Sequence, residues 1–391
     1  MTARVGVLGY GLRSGLAAYA HRPEQGSRVV AVCDADPARR QAAADELGEG
    51  LRLVADLDAL FELDLDALMV LTPDHLHEEH AVRALEQGVP TFLEKPMAVS
   101  IEGADRILEQ AYRTGTRLYV GHNMRHMPVI RAMRDAVQAG RIGQVKAVWC
   151  RHFVSTGGDF YFKDWHADRS KTLGLLLQKG AHDLDVIHWL AGGYATRAQA
   201  MGALSVYGDI ADRRDNRDRR MRDWYSTDNW PPTAQTEMAP VLDVEDISMA
   251  NFLLDNGVLA SYQQCHFTPD YWRNYTVIGT HGRLENFGDG DGATIKLWNT
   301  RSDTYRGEAD EVIPVPPAEG GHSGADPLLV AEFLRFARAG GPTTTSPVAA
   351  RHAVAAGVAA TSSLRSGGGA VAIPPLRPEV KAYFEASQTR E

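Results

Sequence analysis

Short apolar runs separated by helix-length amphipathic stretches fill the first third of the chain, and few folds accommodate that alternation. Val5–Leu8, Val29–Cys33, Ala67–Leu71, Thr91–Leu93 and Leu118–Val120 read as buried strands. Between them, Pro37–Leu47, His77–Gln87 and Ile101–Arg113 carry apolar residues at helical spacing. Asp36 and Ser100 stand where N-caps belong, and Gly88 and Gly115 stand where helices end. Strand, helix, strand in this order implies βαβ units and a parallel sheet.

The pattern then changes. Residues 144–154 and 241–298 show period-two alternation with turns such as Asp255-Asn256-Gly257, which predicts antiparallel pairing. A helix over 174–190 falls between them. Helices over 326–339 and 348–365 follow, and Ser366–Gly369 turns into a short last strand. The expected architecture is α/β: an N-terminal domain over 1–122 with a parallel sheet, and an α+β domain over 123–391 with a large, mostly antiparallel open sheet. A chain of 391 residues, 44% hydrophobic and 23% charged, is long enough for two such cores.

A formal charge of −9 argues against a surface built for nucleic acid. The arginine-rich stretch 213–222 is interspersed with Asp215 and Asp218, as in a solvated loop. Cys33, Cys150 and Cys265 lie far apart and form no metal-ligand spacing, which suits a reducing, cytoplasmic setting. The chain starts a strand within a few residues of Met1, and no apolar run approaches the length of a membrane span, so no membrane association is expected. His75, His77 and His80 lack the spacing and the carboxylate or cysteine partners of a zinc site, so no metal is expected.

Directly after the first strand, Gly9-Tyr10-Gly11 makes a tight turn of the kind that lets backbone N–H groups face a pyrophosphate. Ser14 occupies the third glycine position, with Gly15 following. Asp34 ends the second strand, where a carboxylate accepts hydrogen bonds from ribose hydroxyls and repels a 2′-phosphate. That favours NAD, while Arg39 and Arg40 stand close enough to leave NADP open.

Five segments in order resemble the Gfo/Idh/MocA family, the glucose–fructose oxidoreductase and inositol dehydrogenase group. They are Gly6-Val-Leu-Gly9-Tyr-Gly11, Leu71-Thr-Pro-Asp-His-Leu-His77, Glu94-Lys95-Pro96, Gly121-His-Asn-Met-Arg125 and His182-Asp-Leu-Asp185-Val-Ile-His188-Trp-Leu. The resemblance implies an N-terminal Rossmann domain with a nicotinamide cofactor. It also implies a C-terminal domain that binds substrate and whose open sheet makes a homodimer or homotetramer, with a sugar or cyclitol as substrate.

Carried over residue by residue, Gly9, Tyr10, Gly11, Leu12, Asp34 and Arg39 would hold the dinucleotide. Thr72, Pro73 and His77 would lie along the nicotinamide, and Glu94 and Lys95 would meet its ribose and the substrate hydroxyl. Lys95 would polarise the reacting oxygen while His182 exchanges its proton. Gln178, His182 and Asp185 share a helix face by their spacing. Inositol dehydrogenase-like members carry an aspartate where this chain has Gln178, and glutamine is no base. His182 then works with Lys95 alone, or Lys179 contributes. Arg125, Trp165, Arg169 and His322 complete the expected substrate set, His322 through the likeness of Gly320–Asp326 to a segment in the family's redox-assisted glycosidase branch.

The expected activity is hydride transfer between NAD and a secondary hydroxyl of a sugar, glycoside or cyclitol. The alternatives are redox-neutral glycoside cleavage through transient oxidation at C3, and a non-catalytic sugar or dinucleotide sensor.

Overall fold

The computed structural model describes residues 2–389 and divides into two compact units. The first contains a six-stranded, all-parallel sheet: β1 (Ala3–Leu8), β2 (Ser27–Cys33), β3 (Arg52–Val54), β4 (Ala67–Val70), β5 (Thr91–Leu93) and β6 (Leu118–Val120). Its order is β3-β2-β1-β4-β5-β6, the doubly wound arrangement. Strand order reverses between β1 and β4, so the carboxyl ends of these strands frame a crevice, and Gly9 and Thr72 sit there. The Leu71 N–H donates to the Leu8 carbonyl at 2.8 Å and closes the sheet at this point. Asp36 and Ser100 cap their helices as their positions predict, accepting from Ala38 N and Gly103 N.

The units do not follow a division at residue 122. The described residues up to His126 are joined in the first unit by Glu319–Arg351 and by the chain from Leu376 onward. The reason is packing. The helix Ala325–Ala339 presents Leu329, Val330, Phe333 and Phe336 to the core formed by Val5, Val7, Met69, Phe92 and Tyr119. Removing those side chains from water is worth about 1.5–3 kcal/mol each, more than enough to recruit a distant helix. Several pieces of regular structure are not evident in the sequence pattern, among them the short edge strand β3, the helices Pro128–Gln138 and Pro378–Glu385 and the strands Ala195–Ala203 and Glu311–Pro314.

The second unit is built on a nine-stranded sheet. Its strands are β7 (Val145–Phe153), β8 (Ala195–Ala203), β9 (Ile247–Leu254), β10 (Leu259–Cys265), β11 (Trp272–Gly279), β12 (Gly282–Phe287), β13 (Thr294–Trp298), β14 (Glu311–Pro314) and β15 (Val371–Ala372). The order is β14-β13-β12-β11-β7-β10-β9-β8-β15. All pairings are antiparallel except β7 with β10. The hairpin expected at Asp255-Asn256-Gly257 joins β9 to β10, with Gly257 at φ +81°. The single helix expected over 174–190 is two, Leu175–Gln178 and Gly180–Ala191, separated at Lys179. All but one residue of the second are buried, so it runs through the core of this unit.

The loop over 209–240 has only short turns, yet its Trp224, Asn229 and Gln235 all hydrogen-bond to Asp159, which docks it on the segment 157–163. In the arginine-rich stretch Arg214 and Arg217 are exposed, as expected of a solvated loop, and ion pairs join Arg214 and Arg219 to Glu237 and Arg217 to Asp215.

Candidate active site

Gly9 has φ +87°, a backbone state that L side chains rarely adopt, and a Cβ there would lie 2.9 Å from Thr72 Cγ2 and 3.0 Å from the Leu71 carbonyl. Only glycine lets the turn pass this close to β4. After Tyr10, three consecutive residues leave their amides unused: among the described residues no protein acceptor meets the N–H of Gly11, Leu12 or Arg13. Consecutive unpartnered amides on a tight turn suit an anionic diphosphate, so the residues present fit a dinucleotide.

Asp34, just after β2, is fixed in place by its neighbours. One carboxylate oxygen accepts from Tyr10 N at 2.8 Å and the other from Asp36 N at 2.9 Å. Each oxygen keeps a lone pair to spare. Tyr10 therefore spends its amide on Asp34, its ring lies in the core and its hydroxyl donates to Glu46. Leu12 is exposed on the turn. Arg39 stands 3.9 Å from Asp34 and 3.6 Å from Asp36, while Arg40 donates to the backbone carbonyls of Asp34 and Ala35.

His77 is fully buried, and its Nδ1 and Nε2 lie 2.7 Å from the carbonyls of Pro96 and Thr72. It ties the Thr72-Pro73 turn to the Lys95-Pro96 segment and presents no free nitrogen. Thr72 Oγ1 meets His80 Nδ1 at 3.0 Å. Glu94 is held from both sides: Oε2 accepts from Lys95 N and Oε1 from Arg13 Nε, each at 2.7 Å.

Arg13 is the main residue that sequence reasoning passed over. Its guanidinium also makes a two-pronged pair with Asp326, at 3.0 and 3.1 Å. Asp326, in the first turn of its helix with Gly324 at the cap, also accepts from Asn123 at 3.0 Å and pairs with His322 at 2.8 Å. Burial alone would raise the Asp326 carboxyl. Hydrogen bonds from His322 and Arg13 outweigh it and hold the carboxyl well below the usual carboxylate range. His322 is thus engaged by Asp326 and Arg13. Arg125 is buried in this same unit and donates to the Thr344 carbonyl at 3.1 Å. A basic residue in the glycine turn was the available signal for Arg13; its partner more than three hundred positions away was not.

In the second unit, Gln178, His182 and Asp185 are all buried on the paired helices. Beside them, Asp183 is completely buried and anchors a polar cluster. It accepts from His152 Nδ1 at 2.9 Å, Tyr262 Oη at 2.9 Å and Tyr275 Oη, and pairs with Arg273 at 3.1 Å. Burial and Arg273 lower His152 to about 3, so it is neutral at physiological pH. His152, Tyr262, Arg273 and Tyr275 occupy alternate inward positions of β7, β10 and β11, a signal available in period two but without a partner to give it meaning. Lys179, at the helix break, holds its ammonium 5.7 Å over the Tyr161 ring, and among the described residues that ammonium has no ion pair or hydrogen bond. Burial and then Arg273 bring it from 10.5 down to about 7, against opposing pulls from Asp183 and Asp289. Trp165 stacks on His166 at 3.8 Å, and Arg169 is exposed and paired with Asp243 at 3.0 Å.

Comparison with known proteins agrees with this geometry. The profile of the oxidoreductase family with NAD-binding Rossmann fold matches residues 3–122, and that of the GFO/IDH/MocA C-terminal domain matches 130–285. The putative oxidoreductase YteT of Bacillus subtilis is 26% identical over 78% of this chain and 82% of its own length. Inositol 2-dehydrogenase of Ralstonia nicotianae is 33% identical, but the match spans only 51% of this chain and 58% of that protein. Among solved structures, levoglucosan dehydrogenase in complex with NADH and L-sorbose superposes with a TM-score of 0.76 at 18% identity, over 96% of this chain and all of that one. A putative NADPH-dependent oxidoreductase from Desulfitobacterium hafniense gives 0.75 at 19%, over 95% of this chain and 98% of its own. At such identities the structural likeness speaks for the fold. With both domains of the chain matched in order, and a glycine turn, Asp34 and Glu94-Lys95 at the carboxyl ends of a doubly wound sheet, the protein belongs to the GFO/IDH/MocA oxidoreductase family.

Proposed function

We propose that this protein is an NAD-dependent dehydrogenase that interconverts a secondary hydroxyl and a ketone on a sugar, glycoside or cyclitol. The observation that carries this reading is the glycine turn with its three unused amides, next to Asp34 and on the same sheet edge as Glu94-Lys95. Bound NAD supplies a hydride acceptor at the nicotinamide ring. Gly11, Leu12 and Arg13 offer their N–H groups to the diphosphate, and Asp34 accepts from the ribose hydroxyls and disfavours a 2′-phosphate. Lys95 donates to the reacting oxygen and stabilises its developing charge. His182 takes the hydroxyl proton and returns it in the reverse direction. Gln178 and Asp185 hold neighbouring hydroxyls.

The sheet of the second unit has one face on which Trp149, Met201, Met249 and Leu259 are exposed. Large apolar side chains exposed on one sheet face support assembly as a homodimer or homotetramer. The three cysteines form no disulfide, in keeping with a cytoplasmic setting.

The test is reduced-nicotinamide absorbance with NAD and a panel of sugars, inositols and aryl glycosides, with product chromatography. Wild type should generate NADH, and Lys95→Ala should lose about 10²–10⁴-fold in kcat while still binding NADH. Aglycone release without net NADH would replace this reading with transient oxidation and elimination. Silence of both proteins across the panel would leave the sensor.

A further inference from the structure

Arg13 joins three segments of the first unit that are remote in sequence. Its backbone amide belongs to the glycine turn, its Nε fixes Glu94 at 2.7 Å, and its two terminal nitrogens grip Asp326. Asp326 is not simply stabilising its own helix. Both its oxygens point outward to Arg13, and further contacts come from Asn123 and His322. The segment just before it is held in a costly backbone state: His322 and Ser323 are non-glycine residues at φ +49° and +53°, between Gly320 at +103° and Gly324 at +78°. Such conformations persist where surrounding contacts over-determine them. Here those contacts include the His322–Asp326 and Arg13–Asp326 pairs and the Gly321 N–H, which donates to the Tyr19 hydroxyl at 3.1 Å.

We propose that Arg13, held by Asp326, is a positioning residue for the dinucleotide: it sets Glu94 at the nicotinamide end and clasps the 319–324 segment to the glycine turn, so that this ion pair governs how fast the cofactor leaves. The proposal rests on the NAD-binding reading above. A two-pronged, charge-assisted pair between partly buried groups is strong and directional, and a lysine reproduces its charge but not its fork. Glu94 has its second oxygen committed to Lys95 N, so loss of Arg13 frees one side of the carboxylate and lets the Glu94-Lys95 segment turn.

The experiment is stopped-flow NADH release followed by fluorescence, on wild type, Asp326→Asn, Arg13→Gln, the double variant and Arg13→Lys, with melting temperature recorded for each. The dissociation rate should rise about tenfold in each neutralising variant. The double variant should release no faster than either single one, because both changes break the same pair. Arg13→Lys should fall between wild type and Arg13→Gln. A merely structural pair would lower the melting temperature yet leave the release rate of the folded protein within about twofold of wild type, and that result overturns the proposal. So would rates that multiply in the double variant. If wild type itself binds no NADH or NADPH, the functional reading fails together with the proposal, a result distinguishable from equal binding by all five proteins.

Discussion

Gly9 and Lys179 are single residues whose surroundings leave little choice about their behaviour. Gly9 is left-handed and a Cβ there meets Thr72 and the Leu71 backbone. Gly9→Ala should therefore cost about 1–3 kcal/mol of stability and weaken NADH binding, read by urea unfolding and fluorescence titration. Lys179 is the opposite case, a basic side chain kept from its usual charge. Because its folded pKa of about 7 lies below the ordinary 10.5, the protonated form penalises the native state below about pH 7, and the penalty is relieved as pH rises toward 10.5. Stability from this group thus increases across that window. NMR of the reductively methylated protein should find one lysine titrating near pH 7, missing in Lys179→Met; a titration near 10 would contradict the local electrostatics. Lys179 directly follows Gln178, the position of the absent acid, and a lysine titrating near neutrality is what a second proton acceptor alongside His182 would require.

Among the elements, the helix Gly180–Ala191 shows how a polar cluster specifies packing. Asp183 is completely buried, and His152, Tyr262, Tyr275 and Arg273 reach it from three neighbouring strands. Its carboxyl is driven up by burial but pulled well below the normal range by Arg273 first and then His152. Asp183→Asn would leave Arg273 without one of its counter-charges, at a cost of about 3–5 kcal/mol, measurable as a lower urea midpoint. The native ion pair contributes stability that is present above the ordinary carboxylate pKa and is lost in strong acid. The strands carrying these partners were legible because inward and outward residues alternate along them. Their register was not, since the pairing of β7 with both β10 and β11 is set by side chains from separate parts of the chain. The helix break at Lys179 was equally hidden, because helical spacing continues through it.

At the scale of the whole molecule, the sheet of the second unit exposes Trp149 on β7, Met201 on β8, Met249 on β9 and Leu259 on β10, each at least half exposed. Their registers put all four on one face, with Met201 directly opposite Met249. If that face joins copies of the chain, Met249→Lys with Leu259→Lys should shift the mass from light scattering to that of the 42.7 kDa monomer without changing the melting temperature of the monomer itself. Wild type that is already monomeric would remove the proposal.

Local sequence determined most of what lies within a few residues: the glycine turn, the capped helices, Asp34 at the end of β2, and the Glu94-Lys95 pair at the end of β5. Short-range sterics and hydrogen bonding dictate these, so the local geometry around the glycine turn and the strand ends could be read residue by residue. Tertiary structure alone decided that Ala325–Ala339 returns to the first sheet, that Asp326 pairs with Arg13, and that Asp183 rather than His182 or Asp185 anchors the buried polar cluster of the second unit. Those outcomes follow from burying apolar area and pairing charges between segments remote in sequence, and no local pattern encodes which distant partner wins.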